Sequence, residues 1–520
     1  MVAQSNKQEV VELGISTARG GATYIIASLT RAFVTLLLLV VLARLLKPTE
    51  FGLYTIVIAL TTLLGAGGNS GVGVSLRKKL PEADTNDRKL ELINNAYFIA
   101  GSVSFCIAAF GFLLSGFIAN YFYNDNSLIV PFQIASLIVF VSTLFNITTA
   151  NLLGLHKSRE ASVGQVIFAI VQLLTSVTLV IIGYGVVGAI TGLLLGNFVG
   201  LIVAFTYLTR FVKYKIVKPT KKVTIELVRF TFPILVSGLS QSGIQSFGVL
   251  LLGIFVSPSI VGNYGVAFRL GSYVDTILGA SIGVLLPTFS HVFFSKRLSD
   301  NVGSVYNNSL YYTLLLLFPI LAYLVSVTTP LMALLFSQSY DLAPFYFAVV
   351  ASGITISVIG RYAGTLIVSY GDVKKFMYYQ MAVALLELVI FGVLIPYVGV
   401  LGLLLSLFAV GPLLLDFIYI KALLQQFSIK VDFAPLFRIV IATALLGIIL
   451  VAISALLHQS RATVLTNLVF AVITYPPLLG LFNGIRRKNL DFIKRASHRI
   501  PVIENLSGYL FRYTMIFIKE

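Results

Sequence analysis

Long apolar runs follow one another along almost the whole chain and limit what it can fold into. A helix needs roughly 20 apolar residues to cross the hydrocarbon core of a bilayer. Lipid cannot hydrogen-bond to a backbone, so each such run must form a helix or a protected break in one. The sequence therefore predicts an all-α polytopic membrane protein with about 14 transmembrane helices, at residues 23–46, 51–74, 92–119, 128–153, 162–184, 186–208, 229–255, 260–292, 305–329, 342–369, 376–396, 398–421, 435–457 and 463–485.

Composition and charge support this class and exclude another. The chain is 58% hydrophobic and 11% charged, with a mean hydropathy of +0.95, which is outside the range of soluble domains. A net charge of +17 would suggest nucleic acid in a soluble protein. Here, 31 of the 37 Lys and Arg residues fall on one side of the predicted spans, called the basic side below. By the positive-inside rule this side is cytoplasmic, so we expect a multi-pass cell-membrane protein with both termini in the cytoplasm and no nucleic-acid partner.

A sequence motif occurs twice and predicts an internal duplication. Pro48–Tyr54 and Pro258–Tyr264 both read Pro-x-x-x-Gly-x-Tyr, and each stands before an apolar run. A second pair, Gly185–Gly188 and Gly399–Gly402, recurs at nearly the same offset. Spans 1–6 then match spans 7–12, and because six is even, the two copies are parallel repeats related by an axis along the membrane normal. We expect the repeated Gly and Pro residues to serve helix packing and turns.

The predicted organisation follows from the spans and the repeat. It consists of two six-helix lobes, two further spans, and basic segments between and after them. The segments are a cytoplasmic N-terminus at 1–22, an N-lobe at 23–208, a basic linker at 209–228, a C-lobe at 229–424, spans 13 and 14 at 435–485, and a basic tail at 486–520. The helical spacing of apolar residues in the tail fits an interfacial helix, and a solvated tail is the alternative.

Three arginines inside predicted spans are the first candidates for function: Arg31, Arg269 and Arg361. An arginine at mid-helix costs about 2.5–3.5 kcal/mol on insertion scales, so it normally faces a bundle interior or a wet cavity. Ser28 shares a face with Arg31, and Gln241 and Gln245 form a polar stripe on span 7. The pattern predicts a cationic cavity between the lobes for an anionic ligand, with phosphate fitting the guanidinium fork best.

Acidic residues inside the second half leave alternatives open. Asp275, Glu387 and Asp416 are candidates to bind or relay a coupling cation. They are equally candidates to pair with the arginines and lock the helices together, and an arginine also has the option of extending its head group to the membrane interface. Both interpretations stand at this stage.

The sequence does not favour an enzyme or a cofactor. The histidines have no ligand spacing, a single cysteine excludes a disulfide framework, and no phosphate-binding Gly-x-x-x-x-Gly-Lys-Ser/Thr loop occurs. A membrane-embedded glycosyltransferase would need catalytic carboxylates near the outer face. The loops there offer only Glu50, Asp125 and Asp341, far apart in sequence. We therefore predict no metal, no cofactor and no catalytic residues.

The sequence resembles a known family. Ser28-Leu-Thr-Arg31, the repeated Pro48 and Pro258 motifs, Phe268-Arg269-Leu270 and the predicted spans are similar to the multidrug/oligosaccharidyl-lipid/polysaccharide flippase superfamily, and within it to the lipid-linked oligosaccharide flippases of the polysaccharide biosynthesis branch. The resemblance implies movement of a polyprenyl-diphosphate-linked glycan to the outer leaflet by alternating access. It also implies a cavity-lining role for Arg31 and Arg269. Arg361 matches no motif of the family.

The preferred hypothesis is therefore a flippase with a lipid-linked glycan as its substrate. The alternative is a cation-coupled drug or metabolite antiporter, which would need a carboxylate-lined cavity. The drug-extruding branch of the superfamily typically has acidic residues inside its first lobe, and none is predicted there.

Overall fold

A computed structural model describes residues 26–83, 85–212, 215, 218–283, 285–294, 302–485, 513 and 517. The predicted N-terminal segment at 1–22 lies outside these residues. So does the predicted interfacial helix of the tail, apart from Tyr513 and Phe517. The Tyr513 hydroxyl donates to the carbonyl of Ile473 at 3.1 Å, which places this residue against the last span.

The described residues form helices joined by short turns, as the apolar runs predict. Nineteen of them are labelled here in chain order. They are α1 Ile26–Leu45, α2 Pro48–Lys79, α3 Asn86–Tyr123, α4 Ile129–Gly154, α5 Ser158–Leu179, α6 Gly185–Phe211, α7 Lys221–Gly238, α8 Ile244–Phe255, α9 Pro258–Gly283, α10 Leu285–Phe294, α11 Val302–Ser326, α12 Thr328–Leu335, α13 Ala343–Ile356, α14 Val358–Tyr370, α15 Val373–Val398, α16 Val400–Leu405, α17 Gly411–Phe427, α18 Phe433–Leu456 and α19 Ala462–Leu481.

The helices confirm the predicted class, and the number of spans stays open. In the described part of the chain, every predicted run is covered by a helix or by a broken helix. Within the described residues, 11 continuous helical stretches are long and apolar enough to cross a membrane. The number becomes 12 when α13 and α14, which are bent by 42° at the break between them, are counted together as one further span. One of these stretches, Ser158–Phe211, turns back on itself at Gly183 and Gly185, whose φ values are +105° and +48° and favour glycine. The count of fourteen remains a prediction.

Packing divides the described residues into two compact units. Unit 1 lies within Met1–Val266 and Met377–Leu403, and unit 2 within Ala267–Phe376 and Leu404–Glu520. In unit 1, α2 packs on α4 and α7, and α5 forms a hairpin with α6. In unit 2, α11 packs on α13 and α18, and α14 packs on α17. The lobes predicted at 23–208 and 229–424 have other bounds than these units, and the division into lobes remains a prediction.

The two copies of the repeated motif contact each other inside unit 1. Pro48 begins α2 and Pro258 begins α9, at the position where proline's missing N–H leaves no hydrogen bond unmade. A Cβ at Gly52 would overlap the carbonyl oxygen of Pro258, and a Cβ at Gly262 would overlap the carbonyl oxygen of Pro48. The crossing is therefore reciprocal and needs glycine on both sides, which confirms the packing role predicted for these residues.

A repeated asparagine gives further structural evidence for the duplication. In unit 1, the Asn94 side-chain amide donates to the carbonyl of Lys215 at 3.0 Å. In unit 2, the Asn307 amide donates to the carbonyl of Lys430, also at 3.0 Å. The first bond joins α3 to the segment after predicted span 6, and the second joins α11 to the segment after predicted span 12. The Asn-Asn pairs at 94–95 and 307–308 were visible in the sequence, but their function was not predicted.

Charged side chains on the basic side join three helix ends of unit 1. Glu226 at the start of α7 accepts from Lys79 at the end of α2 and from Arg88 at the start of α3, the latter at 2.7 Å. Arg88 also pairs with Glu91 at 2.8 Å. The hydrogen bond from Lys79 and the nearby Arg88 guanidinium hold the pKa of the Glu226 carboxyl below its ordinary value.

Replacing Gly52 by alanine is expected to disrupt the motif crossing. The added methyl would press on the Pro258 carbonyl, and overpacking of this kind costs about 1–3 kcal/mol. Thermal unfolding of the purified protein in detergent measures the loss. Gly392→Ala is the matched control, because a Cβ there meets nothing within 4 Å. Equal unfolding temperatures for the two variants would contradict a close backbone crossing.

The Glu226 cluster should make stability depend on pH in the acid range. The folded-state pKa of this carboxyl lies below its unfolded value, so its contribution is present above about pH 4.5 and is lost as the pH falls further. We expect Glu226→Gln to flatten the decrease in unfolding temperature between about pH 6 and about pH 3.5. Exposed Glu82 provides the control variant, Glu82→Gln. An unchanged slope in Glu226→Gln would show that the ion pairs do not stabilise the fold.

Candidate functional site

Arg31 lies on α1 of unit 1 with its side chain exposed. Its Nη1 donates to the Oε1 of Gln165 on α5 at 3.4 Å, and no carboxylate pairs with it among the described residues. Half-buried Ser28 lies one turn earlier on the same helix, as predicted. Counted from the predicted start of the span, the Cα of Arg31 lies roughly 12 Å along the helix at 1.5 Å per residue. Arg31 is therefore a cation inside a predicted span, and none of the residues that the structure describes gives it a charged partner.

Gln165 contacts Arg31 and was not predicted from the sequence. Its side chain is only 9% exposed, and Gln172 one heptad later on α5 is 7% exposed. Buried amides need hydrogen-bond partners, and Arg31 supplies one to Gln165. A neutral acceptor orients the guanidinium without neutralising it. Two glutamines at a spacing of seven in an apolar run were the available signal.

The predicted glutamines on span 7 lie at a local break of the helix. Gln241 is exposed and belongs to a π-helical turn, Leu239–Gly243, that separates α7 from α8. Gln245 is half-buried in the first turn of α8. Pro233 inside α7 removes one backbone donor just before this turn. Single π-helical turns are frequent at functional sites, and this one displays the predicted amide at the surface of unit 1.

Arg361 and Asp275 form an ion pair in unit 2. The Nη1 of Arg361 lies 2.6 Å from the Oδ1 of Asp275, and both side chains are about one third exposed. The pair corresponds to one of the alternatives left open by the sequence, in which Arg361 on α14 and Asp275 on α9 hold two helices together. A paired guanidinium is less available to an anionic ligand than Arg31 is.

Asp416 stabilises the break between α13 and α14. Its Oδ1 accepts the backbone N–H of Gly360 at 2.8 Å, and the residue is 8% exposed. Gly360 belongs to the first turn of α14, where backbone N–H groups have no partner within the helix. A side-chain carboxylate from α17 thus caps α14. A Cβ at position 360 would overlap this carboxylate, so the capping contact requires glycine.

The remaining candidates lie in different parts of the structure. Arg269 is half-buried on α9 in unit 2, and its carbonyl accepts the Ser272 hydroxyl at 2.7 Å. Glu387 is half-buried on α15 in unit 1, where no ion pair is formed with it within the described part of the chain. The structure brings Asp275, Arg361 and Asp416 to one region of unit 2 and Arg31 to Gln165 in unit 1. The joint cavity remains a prediction.

Breaking the Arg361–Asp275 pair should destabilise unit 2. Asp275→Asn leaves the guanidinium without its carboxylate, and we expect a loss of about 1–3 kcal/mol, below the cost for a fully buried pair. The double variant Asp275→Leu with Arg361→Met removes both charges and should recover most of the loss. Thermal unfolding of purified proteins checks this. A double variant as unstable as the single one would contradict a structural ion pair.

Solved structures with the same fold are membrane transporters. One, titled "Lipid II flippase MurJ, inward closed conformation", superposes with a TM-score of 0.72 at 13% identity, covering 88% of this chain and 98% of the other. An inward-facing multidrug resistance MATE family transporter of the MOP superfamily gives 0.61 at 15% identity, covering 75% and 92%. Identities this low show the fold alone. The two superpositions confirm the predicted MATE-like fold class.

Sequence comparison adds a relative and a family. The chain is similar to the succinoglycan biosynthesis transport protein ExoT of Rhizobium meliloti (strain 1021), at 22% identity over 315 residues. That match spans 58% of this chain and 59% of the relative. The matched part is therefore less than two thirds of the length of the relative. The sequence profile of the family described as "Polysaccharide biosynthesis protein" matches residues 41–344. Because this match covers more than half of the chain, the protein belongs to the polysaccharide biosynthesis protein family.

Proposed function

We propose that the protein is a flippase that moves a polyprenyl-diphosphate-linked oligosaccharide from the leaflet on the basic side of the cell membrane to the opposite leaflet, for assembly of a cell-surface polysaccharide. Family membership and the fold shared with a lipid II flippase support this function. The observation that carries it is Arg31 in a predicted span, whose guanidinium has an amide partner and no carboxylate partner within the described part of the chain.

The positive charges of Arg31 and Arg269 suit the binding of a diphosphate. Bringing phosphate oxygens to a guanidinium allows two parallel charge-assisted hydrogen bonds. Arg31 has N–H groups to offer beyond its one 3.4 Å bond to Gln165. Arg269 is the proposed partner of Arg31 in this role. The lipid tail would remain in the bilayer, since transferring a long hydrocarbon chain into a polar cavity is unfavourable.

Alternating access is the proposed mechanism. The diphosphate and sugars would bind in a cavity between two repeated halves, and rocking of one half against the other would change the side on which it opens. The breaks in the helices supply places for bending: the π-helical turn at Leu239–Gly243 and the bend between α13 and α14. Such breaks need less rearrangement of hydrogen bonds than bending an intact helix.

A coupling cation is a further part of the proposal. Glu387 is the first candidate to bind it, because no described residue pairs with this half-buried carboxylate. Asp416 and Asp275 already have partners in Gly360 and Arg361, so cation binding there would require a change of contacts. Energetically, a cation drives transport only if it binds one access state better than the other.

Antiport of a drug or metabolite is the second candidate function. The fold shared with a MATE transporter and the buried carboxylate of Asp416 favour it. It predicts cation-driven efflux of small cationic compounds from vesicles. The flippase proposal predicts no such efflux.

Leaflet accessibility of a labelled polyprenyl-diphosphate oligosaccharide in vesicles tests the flippase. Relative to wild type, we expect Arg31→Gln and Arg269→Gln to lower the outward rate by about ten- to a hundredfold, the worth of a charge-assisted hydrogen bond of 1.5–3 kcal/mol. Arg31→Lys should retain part of the rate, because it keeps the charge without the fork.

Exposed Arg461 gives the matched control, Arg461→Gln, which should transport at the wild-type rate. Each variant is compared at equal amounts of inserted protein. Wild-type transport by both Arg31→Gln and Arg269→Gln would refute the proposed role of these arginines. Absence of movement by the wild type would refute the flippase.

A further inference from the structure

A polar cavity opens where α11, α18 and the turn after α19 meet in unit 2. Its volume is about 240 Å³. The turn and the helix ends that form it lie on the basic side, at the level where spans 9, 13 and 14 begin or end. The walls are held by hydrogen bonds: Tyr311 donates to the Gly484 carbonyl at 2.7 Å, and Asn307 accepts the backbone N–H of Asp432 at 3.0 Å. The cavity is therefore built by bonds between elements distant in sequence.

Two opposite charges line this cavity and do not pair with each other. With respect to the described residues, Arg438 makes one long hydrogen bond, from its Nη1 to the carbonyl of Asn483 at 3.4 Å. Among the same residues, the Asp432 carboxylate accepts only the backbone N–H of Ala434, at 3.3 Å, and caps α18. No ion pair joins Arg438 to Asp432 within the described residues. Both charges remain available to a ligand in the cavity.

The surroundings of the cavity are suited to an amphiphile. Phe433 and Phe437 on α18 are 51% and 65% exposed, and Leu481 at the end of α19 is 70% exposed. Exposed apolar side chains on membrane spans face lipid tails. A polar cavity next to such a surface, at the end of the spans, lies at the depth of lipid head groups.

From this geometry we propose that the cavity binds a phospholipid whose head group carries a phosphate and a primary ammonium group. The phosphate would meet Arg438, and the ammonium would meet the Asp432 carboxylate and the asparagine oxygens. A volume of about 240 Å³ is large enough to hold a phosphoethanolamine group, which has roughly eight non-hydrogen atoms. A purely anionic lipid would place negative charge against Asp432. The proposed transport substrate carries only negative charge on its diphosphate, so this site differs from the one that includes Arg31.

Binding of short-chain phospholipids to the purified full chain in detergent tests the proposal. We expect wild type to bind short-chain phosphatidylethanolamine at least about tenfold more tightly than short-chain phosphatidylglycerol. Asp432→Asn should abolish this preference. Asparagine caps helices as well as aspartate does, so this variant removes the charge and keeps the start of α18.

Arg438→Gln should weaken binding of both lipids about tenfold or more, since it removes the phosphate partner. Lys421→Gln, an exposed basic residue on the same side, is the control and should bind like wild type. Retention of the ethanolamine preference by Asp432→Asn, or wild-type binding by Arg438→Gln, would overturn the proposal.

A chain-free head group distinguishes a membrane lipid from a soluble ligand. Glycerophosphoethanolamine has the same charges without acyl chains, and we expect it to bind at least about tenfold more weakly than the short-chain lipid. Equal binding would overturn the assignment to a membrane lipid. None of these measurements depends on transport, so the outcome is separate from that of the flippase assay.

Discussion

A polar group inside a bilayer must find its partner within the protein, because hydrocarbon offers none. The described helices meet this constraint in several ways. Asp416 caps the broken span at Gly360, Asp275 neutralises Arg361, and Gln165 contacts Arg31. The first contact gives a backbone N–H an anionic acceptor, and the second pairs two opposite charges. The third contact leaves the positive charge of Arg31 without a carboxylate among the residues that the structure describes, and that difference separates Arg361 and Asp416 from the residue proposed to bind substrate.

The apolar surroundings also explain the close packing of the helices. Helices in a bilayer gain little from the hydrophobic effect and depend on backbone approach and van der Waals contact. The crossing of α2 and α9 at Gly52 and Gly262 is the clearest case, since each glycine faces the carbonyl of the proline that begins the other helix. The duplicated asparagine bonds at Asn94 and Asn307 add a polar contact at the helix ends. The repeated residues of the sequence therefore make repeated contacts in the structure.

The sequence predicted the helical class and the packing role of the repeated glycines, because hydropathy and residue size act locally. It did not predict that Gly52 and Gly262 would face each other, since a repeat offset contains no information on distance. It left open whether Arg361 would pair with Asp275, Glu387 or Asp416, because all three carboxylates fall in apolar runs and only the packing of the helices decides. Gln165 was missed because a neutral amide is a weaker signal than a charge.

The central claim is that the protein recognises a phosphate-bearing lipid head group inside the membrane. The most direct measurement compares two labelled polyprenyl-linked oligosaccharides in the same protein-containing vesicles. One carries the diphosphate, and the other is a glycoside that lacks phosphate. The account predicts that the diphosphate form reaches the outer leaflet and the neutral form does not. Equal movement of both would contradict it, because the intramembrane arginines would then have no anion to bind.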